Sequence, residues 1–125
     1  MAPVDVAPEI ARVLDLGGTL ENLGRDPELY QEIFDFFMEI VPQQLDDLQA
    51  VQEAGDVAAV DLQAHSMKGG AANVGAVRVT AVARDLEMLA KSGSLDGAAD
   101  LVAQLRVEFA ALQAVVPQVN WSSLS

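Results

Sequence analysis

The chain has 125 residues, 51% of them hydrophobic, and its 19 acidic and 7 basic residues give a formal net charge of −12. This composition is typical of one globular domain and excludes a disordered chain. The charge excludes nucleic acid and anionic membranes as expected partners, because both are bound through lysine and arginine. The absence of cysteine excludes disulfides and cysteine-based metal sites.

The sequence contains no recognisable targeting or membrane segment. Its start, MAPVDVAPEIARVLDL, lacks the basic region and apolar run of a signal peptide. No stretch approaches the about 20 apolar residues that a membrane-spanning helix needs. We therefore expect a soluble, cytoplasmic protein.

Two helices are predicted in the N-terminal half. A short one is predicted in PEIARVLDL, residues 8–16, at one end of the fold. The first long helix starts with Asp26 as N-cap and Pro27 in its first turn, and it ends near Gly55. Its apolar residues recur every three or four positions, as on the buried face of a helix. This predicted face consists of Ile33, Phe34, Phe37, Val41, Leu45 and Leu48.

Three further long helices follow. Asp56 is the expected N-cap of the second, the third is predicted over about 76–91, and the fourth starts near Ser94 or Leu95 and stops before Pro117. Their predicted buried faces are Val60, Ala64, Met67, Ala71 and Val74 in the second, Val79, Val82, Leu86 and Leu89 in the third, and Ala98, Leu101, Val102, Leu105, Phe109, Leu112 and Val116 in the fourth.

The predicted fold is all-α, because no segment shows the strict alternation of a half-buried strand. We expect an antiparallel four-helix bundle with a short additional N-terminal helix. Without internal repeats or long loops, the chain is expected to form a single domain over residues 1–125. Residues 1–8 and 118–125 are expected to be flexible ends, although Trp121 has the size to dock on the bundle.

The segment HSMKGGAANVG, residues 65–75, holds the only histidine and three of the glycines. Helical periodicity places His65 about 140° from the centre of the buried face, so it faces outward. Lys68 and Gly69 follow one turn later on that side, and Ala72 lies one turn beyond them. Because a glycine costs a helix about 1 kcal/mol relative to alanine, this bare surface favours close approach by another molecule.

Ordinary structural roles explain some of these residues equally well. A lone histidine is most often a surface residue without a special function. Gly70 points to a different side of the helix, where it suits packing against a neighbouring helix. Gly75 falls near the predicted end of the helix, where the role of a C-cap is enough to explain it.

The segment AHSMKGGAANVGA resembles the signature of the histidine-containing phosphotransfer (HPt) domain family. The flanking segments LENLGRDPELYQEIFDFFMEIVPQQLDDLQ and RDLEML are similar to the preceding and following helices of that family. The resemblance covers about residues 14–113. Gly70 is a conservative departure, because many members have serine or alanine there.

The resemblance implies a role for each residue of the motif. His65 is implied to accept a phosphoryl group, with Lys68 close to that group. Gly69 leaves room for the partner, and Gly75 closes the motif. Glu87 matches the position that hydrogen-bonds the ring nitrogen that is not phosphorylated.

Lys91 falls at a position where some members of the family carry a second basic residue, and this match is weaker than the others. For Glu87 and Lys91 together, the alternative is a solvated i,i+4 ion pair of little energetic weight, and for Lys91 we favour that alternative. Leu29 and Ile33, one turn apart on the first long helix, are expected either to be core residues or to form an apolar docking surface with Gly69.

The resemblance further implies a phosphoryl carrier that is not itself an enzyme and binds no cofactor. Mg²⁺ is expected on the partner, because no cluster of aspartates surrounds His65. The implied partners are response-regulator receiver domains and a hybrid sensor histidine kinase, and we expect the chain to be a monomer.

Three other kinds of protein are alternatives to the carrier. The first is a helical interaction module that binds a receiver-like domain without being phosphorylated. A di-iron bundle needs paired Glu-x-x-His motifs, which one histidine cannot supply. The glycine-rich loops of kinases and ATPases are missing from the sequence.

Overall fold

A computed structural model describes residues 7–124, and all regular secondary structure in this range is helical. Four long helices follow two short ones. In chain order, the helices are α1 (Pro8–Ala11), α2 (Leu16–Asn22), α3 (Pro27–Glu53), α4 (Val57–Asn73), α5 (Val77–Lys91) and α6 (Ala98–Val115), followed by 3₁₀ turns at Val116–Gln118 and Trp121–Leu124.

The starts of α3 and α4 confirm the predicted N-caps. The Asp26 carboxylate accepts a hydrogen bond of 3.1 Å from the backbone N–H of Leu29. The Asp56 carboxylate accepts one of the same length from Ala59. Each bond satisfies a backbone donor that the first turn of a helix otherwise leaves unpaired.

The single short helix predicted over residues 8–16 is wrong, because the structure has two short helices instead. α1 ends at Ala11, and Asp15 begins α2 by accepting a hydrogen bond of 3.0 Å from the backbone N–H of Gly18. The backbone N–H of Asp15 also donates to the carbonyl of Gly75 at 2.8 Å. The start of α2 is therefore tied to the turn between α4 and α5.

α6 begins later than predicted, at Ala98. The Ser94 hydroxyl accepts a hydrogen bond from the backbone N–H of Asp96, which favours a local turn. Gly97 then stands at the N-cap position with a φ of 88°, a conformation that glycine adopts without strain. The predicted end is confirmed, since α6 stops at Val115, before Pro117.

The long helices surround one hydrophobic core. α3 packs against α4 and α6, and α5 packs against the same two helices. All five residues predicted for the buried face of α4 are buried. Five residues predicted to be buried are only half-buried: Ile33, Val82, Leu89, Leu101 and Val116. Tyr30, Ala83 and Ala90 are buried instead, because periodicity does not fix where a buried face ends.

The C-terminal residues cover the beginning of α3. The ring of Trp121 lies 5.2 Å from that of Tyr30 and 5.3 Å from that of Phe34, which confirms that Trp121 docks on the helices. Val119 and Leu124 are also buried. Of the ends predicted to be flexible, residues 1–6 and 125 lie outside the described range. Within that range, no helix combines the length and apolarity needed to cross a membrane.

Candidate functional site

His65 lies on the outer side of α4, as predicted. Its side chain is 65% exposed, whereas Ala64 and Met67 beside it are buried in the core. The reason is the helical period, which turns position 65 away from the face that packs against α3 and α5. The imidazole is therefore accessible to another molecule.

Glu87 holds the imidazole from the neighbouring helix. Its Oε2 lies 2.5 Å from His65 Nδ1, although the Glu87 side chain is only 5% exposed. The solvated ion pair considered for Glu87 is therefore wrong. Position 87 lies between Ala83 and Ala90 on the side of α5 that packs inward, so its carboxylate is buried beneath the exposed ring.

Both lysines of the chain are close to this carboxylate. Lys68 Nζ donates to Glu87 Oε1 at 2.5 Å. Lys91 Nζ lies 3.6 Å from Oε2 and donates to Asp61 Oδ1 at 3.3 Å. The i,i+4 pair favoured for Lys91 is present and its side chain is 56% exposed, but its ammonium also pairs with a carboxylate on α4. Sequence reasoning missed Asp61, whose only signal is its place one turn before His65.

These contacts keep the Glu87 carboxylate charged. The hydrogen bond from Lys68 is the main cause that lowers the pKa of Glu87 from 4.5 to about 2. Burial opposes this shift, and the hydrogen bond from His65 adds to it. The ionised group therefore stabilises the fold fully above about pH 4.5, and this contribution is lost as the pH falls toward 2. The hydrogen bond and charge of Asp61 raise the pKa of Lys91, so its ammonium also stays charged at neutral pH.

The protonation of the ring follows from the charge of Glu87. An ionised carboxylate can only accept hydrogen bonds, so Nδ1 is the nitrogen that carries the proton in the neutral ring. The lone pair is then on Nε2. The arrangement presents an accessible nitrogen nucleophile whose ring is fixed from the opposite side.

The glycines of the motif have different surroundings. A Cβ at Gly69 would meet no atom within 4 Å, whereas one at Gly70 would lie 3.6 Å from the Phe37 ring of α3. Gly69 thus leaves an open surface one turn from His65, and Gly70 lies at the contact between helices, as predicted. The Gly70 contact is an ordinary one that a methyl group also fits.

Gly75 has a stricter role than that of a helix end. Its φ is 76°, and a Cβ there would overlap Thr19 Oγ1 and would lie 2.7 Å from the Asp15 carbonyl oxygen. The interpretation that a C-cap alone explains Gly75 is wrong. The absence of a side chain is what allows α2 to approach this turn.

The remaining predicted partner-binding residues lie around the open surface. Ala72 is exposed on α4. Leu29 is 39% exposed and lies outside the core, while Ile33 is half-buried and packs against it. Phe36, one turn after Ile33, is 62% exposed and was missed from the sequence, where it lies among four other apolar residues in IFDFFM.

The direction of α3 relative to α4 places these apolar residues. The Tyr30 hydroxyl donates to the Val74 carbonyl at 2.7 Å, and Phe37 faces Gly70. The N-terminal half of α3 therefore runs along the C-terminal half of α4. Leu29 and Ile33 precede Phe37 at four-residue steps, on the edge of α3 nearest to α4.

No group of three or more histidine or acidic side chains within residues 7–124 is arranged to hold a metal ion. The charged residues around His65 are instead paired with one another. The chemistry that this arrangement offers is that of a nucleophilic nitrogen with cations beside it.

Comparisons with known proteins agree with this geometry. A sequence model of the Hpt domain matches residues 32–115. The chain is also similar to the crystal structure of histidine-containing phosphotransfer protein B (HptB) from Pseudomonas aeruginosa PAO1, with a TM-score of 0.71 and 33% sequence identity. That match covers 90% of this chain and 95% of the other. A search among curated proteins found no match. The family predicted from AHSMKGGAANVGA is confirmed: the chain belongs to the Hpt domain family.

Proposed function

We propose that His65 is the residue through which this Hpt domain performs histidine phosphotransfer in a phosphorelay. The observation that carries the proposal is the exposed imidazole whose Nδ1 is bound to the buried Glu87 carboxylate. That bond orients the ring and leaves the lone pair of Nε2 available for attack on phosphorus.

The transfer step follows from this arrangement. Nε2 forms a bond to phosphorus while the bond from phosphorus to an aspartate oxygen of the receiver domain breaks, and the aspartate leaves as a carboxylate. The proton stays on Nδ1, and the positive charge that the ring acquires is stabilised by Glu87. Transfer to a second receiver domain is the reverse of this step.

Lys68 supplies the charge that the phosphoryl group needs. Phosphoryl transfer has a loose transition state, so positioning and charge neutralisation provide most of the catalysis. Lys68 lies one turn from His65 on the same side of α4. Its side chain is 31% exposed, which leaves its ammonium able to reach a group on the outer nitrogen of the ring.

The partner completes the reaction in this proposal. The chain is a carrier without autonomous catalysis and without a cofactor, and Mg²⁺ is bound by the partner receiver domain. The partners are response-regulator receiver domains and a hybrid sensor histidine kinase. The carrier acts as a cytoplasmic monomer, and the net charge of −12 disfavours contact with nucleic acid or a membrane surface.

The finer architecture is part of the same proposal. Connections of only a few residues join α3 to α4 and α4 to α5. Helices joined by such short connections and packed side by side run antiparallel. We therefore propose a single domain over residues 1–125 whose long helices form an antiparallel four-helix bundle.

The partner docks, in this proposal, on the surface around Gly69. Ala72 extends the open side of α4. Lys91, the last residue of α5, lies at the edge of this surface. Leu29 and Ile33 supply apolar contact from α3, and Phe36 continues that edge. Such a surface is suited to a receiver domain that must seal the reacting atoms from water.

Direct labelling tests the proposed function. The chain is incubated with a panel of receiver domains phosphorylated on aspartate, and acid-labile label on the chain is followed over time. We expect label on the chain, with mass spectrometry of the intact phosphopeptide locating it at His65. Binding of a receiver domain without label at His65 would contradict the proposal and support the interaction module instead.

Gly69→Gln is expected to slow transfer by at least about tenfold, because displacing reacting groups by about 1 Å can cost about 100-fold. The space around Gly69 is open, so the fold should tolerate the side chain, and helix propensity should improve by somewhat under about 1 kcal/mol. Stopped-flow transfer rates and thermal unfolding measure the two effects. Gly70→Ala is the control, with a similar gain in propensity and an unchanged rate. A wild-type rate in a stabilised Gly69→Gln variant would contradict the proposed role.

Leu29→Ala is expected to weaken partner binding about fivefold, close to the about 1 kcal/mol that only a minority of interface residues exceed when truncated. Because Leu29 is exposed, its free energy of unfolding should change by less than about 1 kcal/mol. Ile33→Ala should also cost about 1–2 kcal/mol of stability, below the about 2–5 kcal/mol of a fully buried residue. Titration calorimetry and chemical unfolding separate the two quantities.

Val107 on α6 provides the matched control for these truncations. It is an exposed apolar residue on α6, a helix that packs against α3 and α5 and carries none of the residues proposed for docking. Val107→Ala should change neither affinity nor stability. Equal affinities for the Leu29→Ala and Val107→Ala variants would remove Leu29 from the docking surface.

A further inference from the structure

Glu87 has two lysine partners, and they are held differently. Lys68 makes a short bond to Oε1 and has no second carboxylate in the described contacts. Lys91 stands 3.6 Å from Oε2 and is bound at the same time to Asp61. Asp61 lies on α4, one turn before His65, so the ammonium of Lys91 connects α5 to α4.

A buried carboxylate needs a counter-ion in every state of the site. The Glu87 side chain is 5% exposed, which leaves water little access to its oxygens. An uncompensated charge at such a position is strongly unfavourable. Whatever happens at His65, at least one cation has to remain beside Glu87.

A phosphoryl group on Nε2 adds a second negatively charged group that needs a cation nearby. It adds close to two negative charges on the exposed side of the ring. Lys68 is the lysine on the same helix as His65, one turn away and partly exposed. When its ammonium moves toward the phosphoryl oxygens, its bond to Glu87 Oε1 lengthens.

We propose that Lys91, held in place by Asp61, remains the counter-ion of Glu87 while Lys68 moves from Glu87 to the phosphoryl group. The proposal rests on the proposed function, because it requires the phosphoryl group at His65. Asp61 and Lys91 touch no reacting atom and act as positioning residues. They keep Glu87 charged, so that Glu87 continues to bind Nδ1 after phosphorylation.

The proposal makes Lys91 more important after phosphorylation than before it. In the free protein, Lys68 and the ring N–H both bind Glu87 directly at 2.5 Å, and Lys91 lies farther away at 3.6 Å. In the phosphorylated protein, Lys91 is the lysine that stays. Its removal therefore shifts the transfer equilibrium away from the phosphohistidine and leaves the free protein folded.

Nuclear magnetic resonance of the lysine side chains tests the exchange directly. The chain contains two lysines, so a side-chain lysine spectrum has two signals, which Lys68→Met and Lys91→Met assign. The full chain is phosphorylated with phosphoramidate and its spectrum is compared with that of the free protein. We expect the Lys68 signal to shift and the Lys91 signal to stay. A larger shift for Lys91 than for Lys68, or no shift for either, overturns the proposal.

The transfer equilibrium tests the consequence. Its constant is measured with the receiver domain that transfers fastest to the wild type. Lys91→Met is expected to lower the constant about twofold to fivefold, in the range of a partly exposed ion pair. Asp61→Asn should lower it in the same direction. The double variant should lose no more than Lys91→Met alone, because Asp61 acts through Lys91.

Matched controls remove one positive and one negative charge at other positions, both on α5. Arg84→Met and Asp85→Asn change exposed residues that lie outside the contacts of Glu87, and both should leave the constant unchanged. A transfer equilibrium constant of the wild-type value in the Lys91→Met variant overturns the proposal even when His65 carries the label. So does a double variant in which the two decreases of the constant are additive. A wild-type chain without label at His65 overturns the proposed function instead.

Discussion

The His65→Gln variant is expected to take up no acid-labile phosphoryl group while retaining the helical content and melting temperature of the wild type. His65 is 65% exposed, and glutamine keeps an N–H donor that Glu87 can accept from, so the fold loses little. Substitutions at such exposed positions usually change stability by less than about 0.5 kcal/mol. Label transfer from a phosphorylated receiver domain and circular dichroism measure the two results.

The chain has no other histidine, which makes the outcome unambiguous. Phosphorylation that is acid-labile and persists in the variant would place the acceptor on another residue. Unfolding of the variant would instead mean that His65 serves the structure.

The Gly75→Ala variant is expected to lose about 2–4 kcal/mol of stability, the largest loss among the changes considered. A residue with a side chain pays about 1–2 kcal/mol for the positive φ of this position. The added Cβ also overlaps Thr19 and the Asp15 carbonyl, so α2 has to move away from the turn. Chemical unfolding monitored by circular dichroism measures the loss.

Gly93→Ala separates the two causes. Gly93 has a φ of 85°, yet a Cβ there would meet nothing within 4 Å. The Gly93→Ala variant therefore loses only the energy of the unfavourable backbone conformation, about 1–2 kcal/mol. Equal losses at both positions would show that the contact of α2 with Gly75 carries no energy.

The long helices were predictable because their signals are local. Asp26 and Asp56 cap the next turn through their own side chains, and apolar residues three or four apart mark the buried faces. The prediction does not separate the two N-terminal helices, because α1 ends at Ala11 and Asp15 begins α2 through contacts that include distant Gly75. Ile33 was misplaced since periodicity does not locate the edge of a buried face.

The candidate site was likewise predictable only where its residues are close together in the sequence. Helical spacing was enough to place His65, Lys68 and Gly69 on one side of α4. The burial of Glu87 and the bond between Lys91 and Asp61 depend on how α5 packs against α4, which spacing within one helix does not contain. The resemblance to the family supplied Glu87, and nothing in the sequence pattern supplied Asp61.

The site residues from Asp61 to Lys91 lie on two consecutive helices joined by a turn of three residues, 74–76. Closing so short a loop costs little chain entropy, and contacts between neighbouring segments form faster than contacts between distant ones. We therefore expect this helical hairpin to assemble early in folding. In hydrogen exchange, its buried amides should open only with global unfolding, while α1 and α2 open more readily. The His65 ring thus lies on a locally determined part of the chain, and α2 supports the turn of that hairpin through the contact of Asp15 with Gly75.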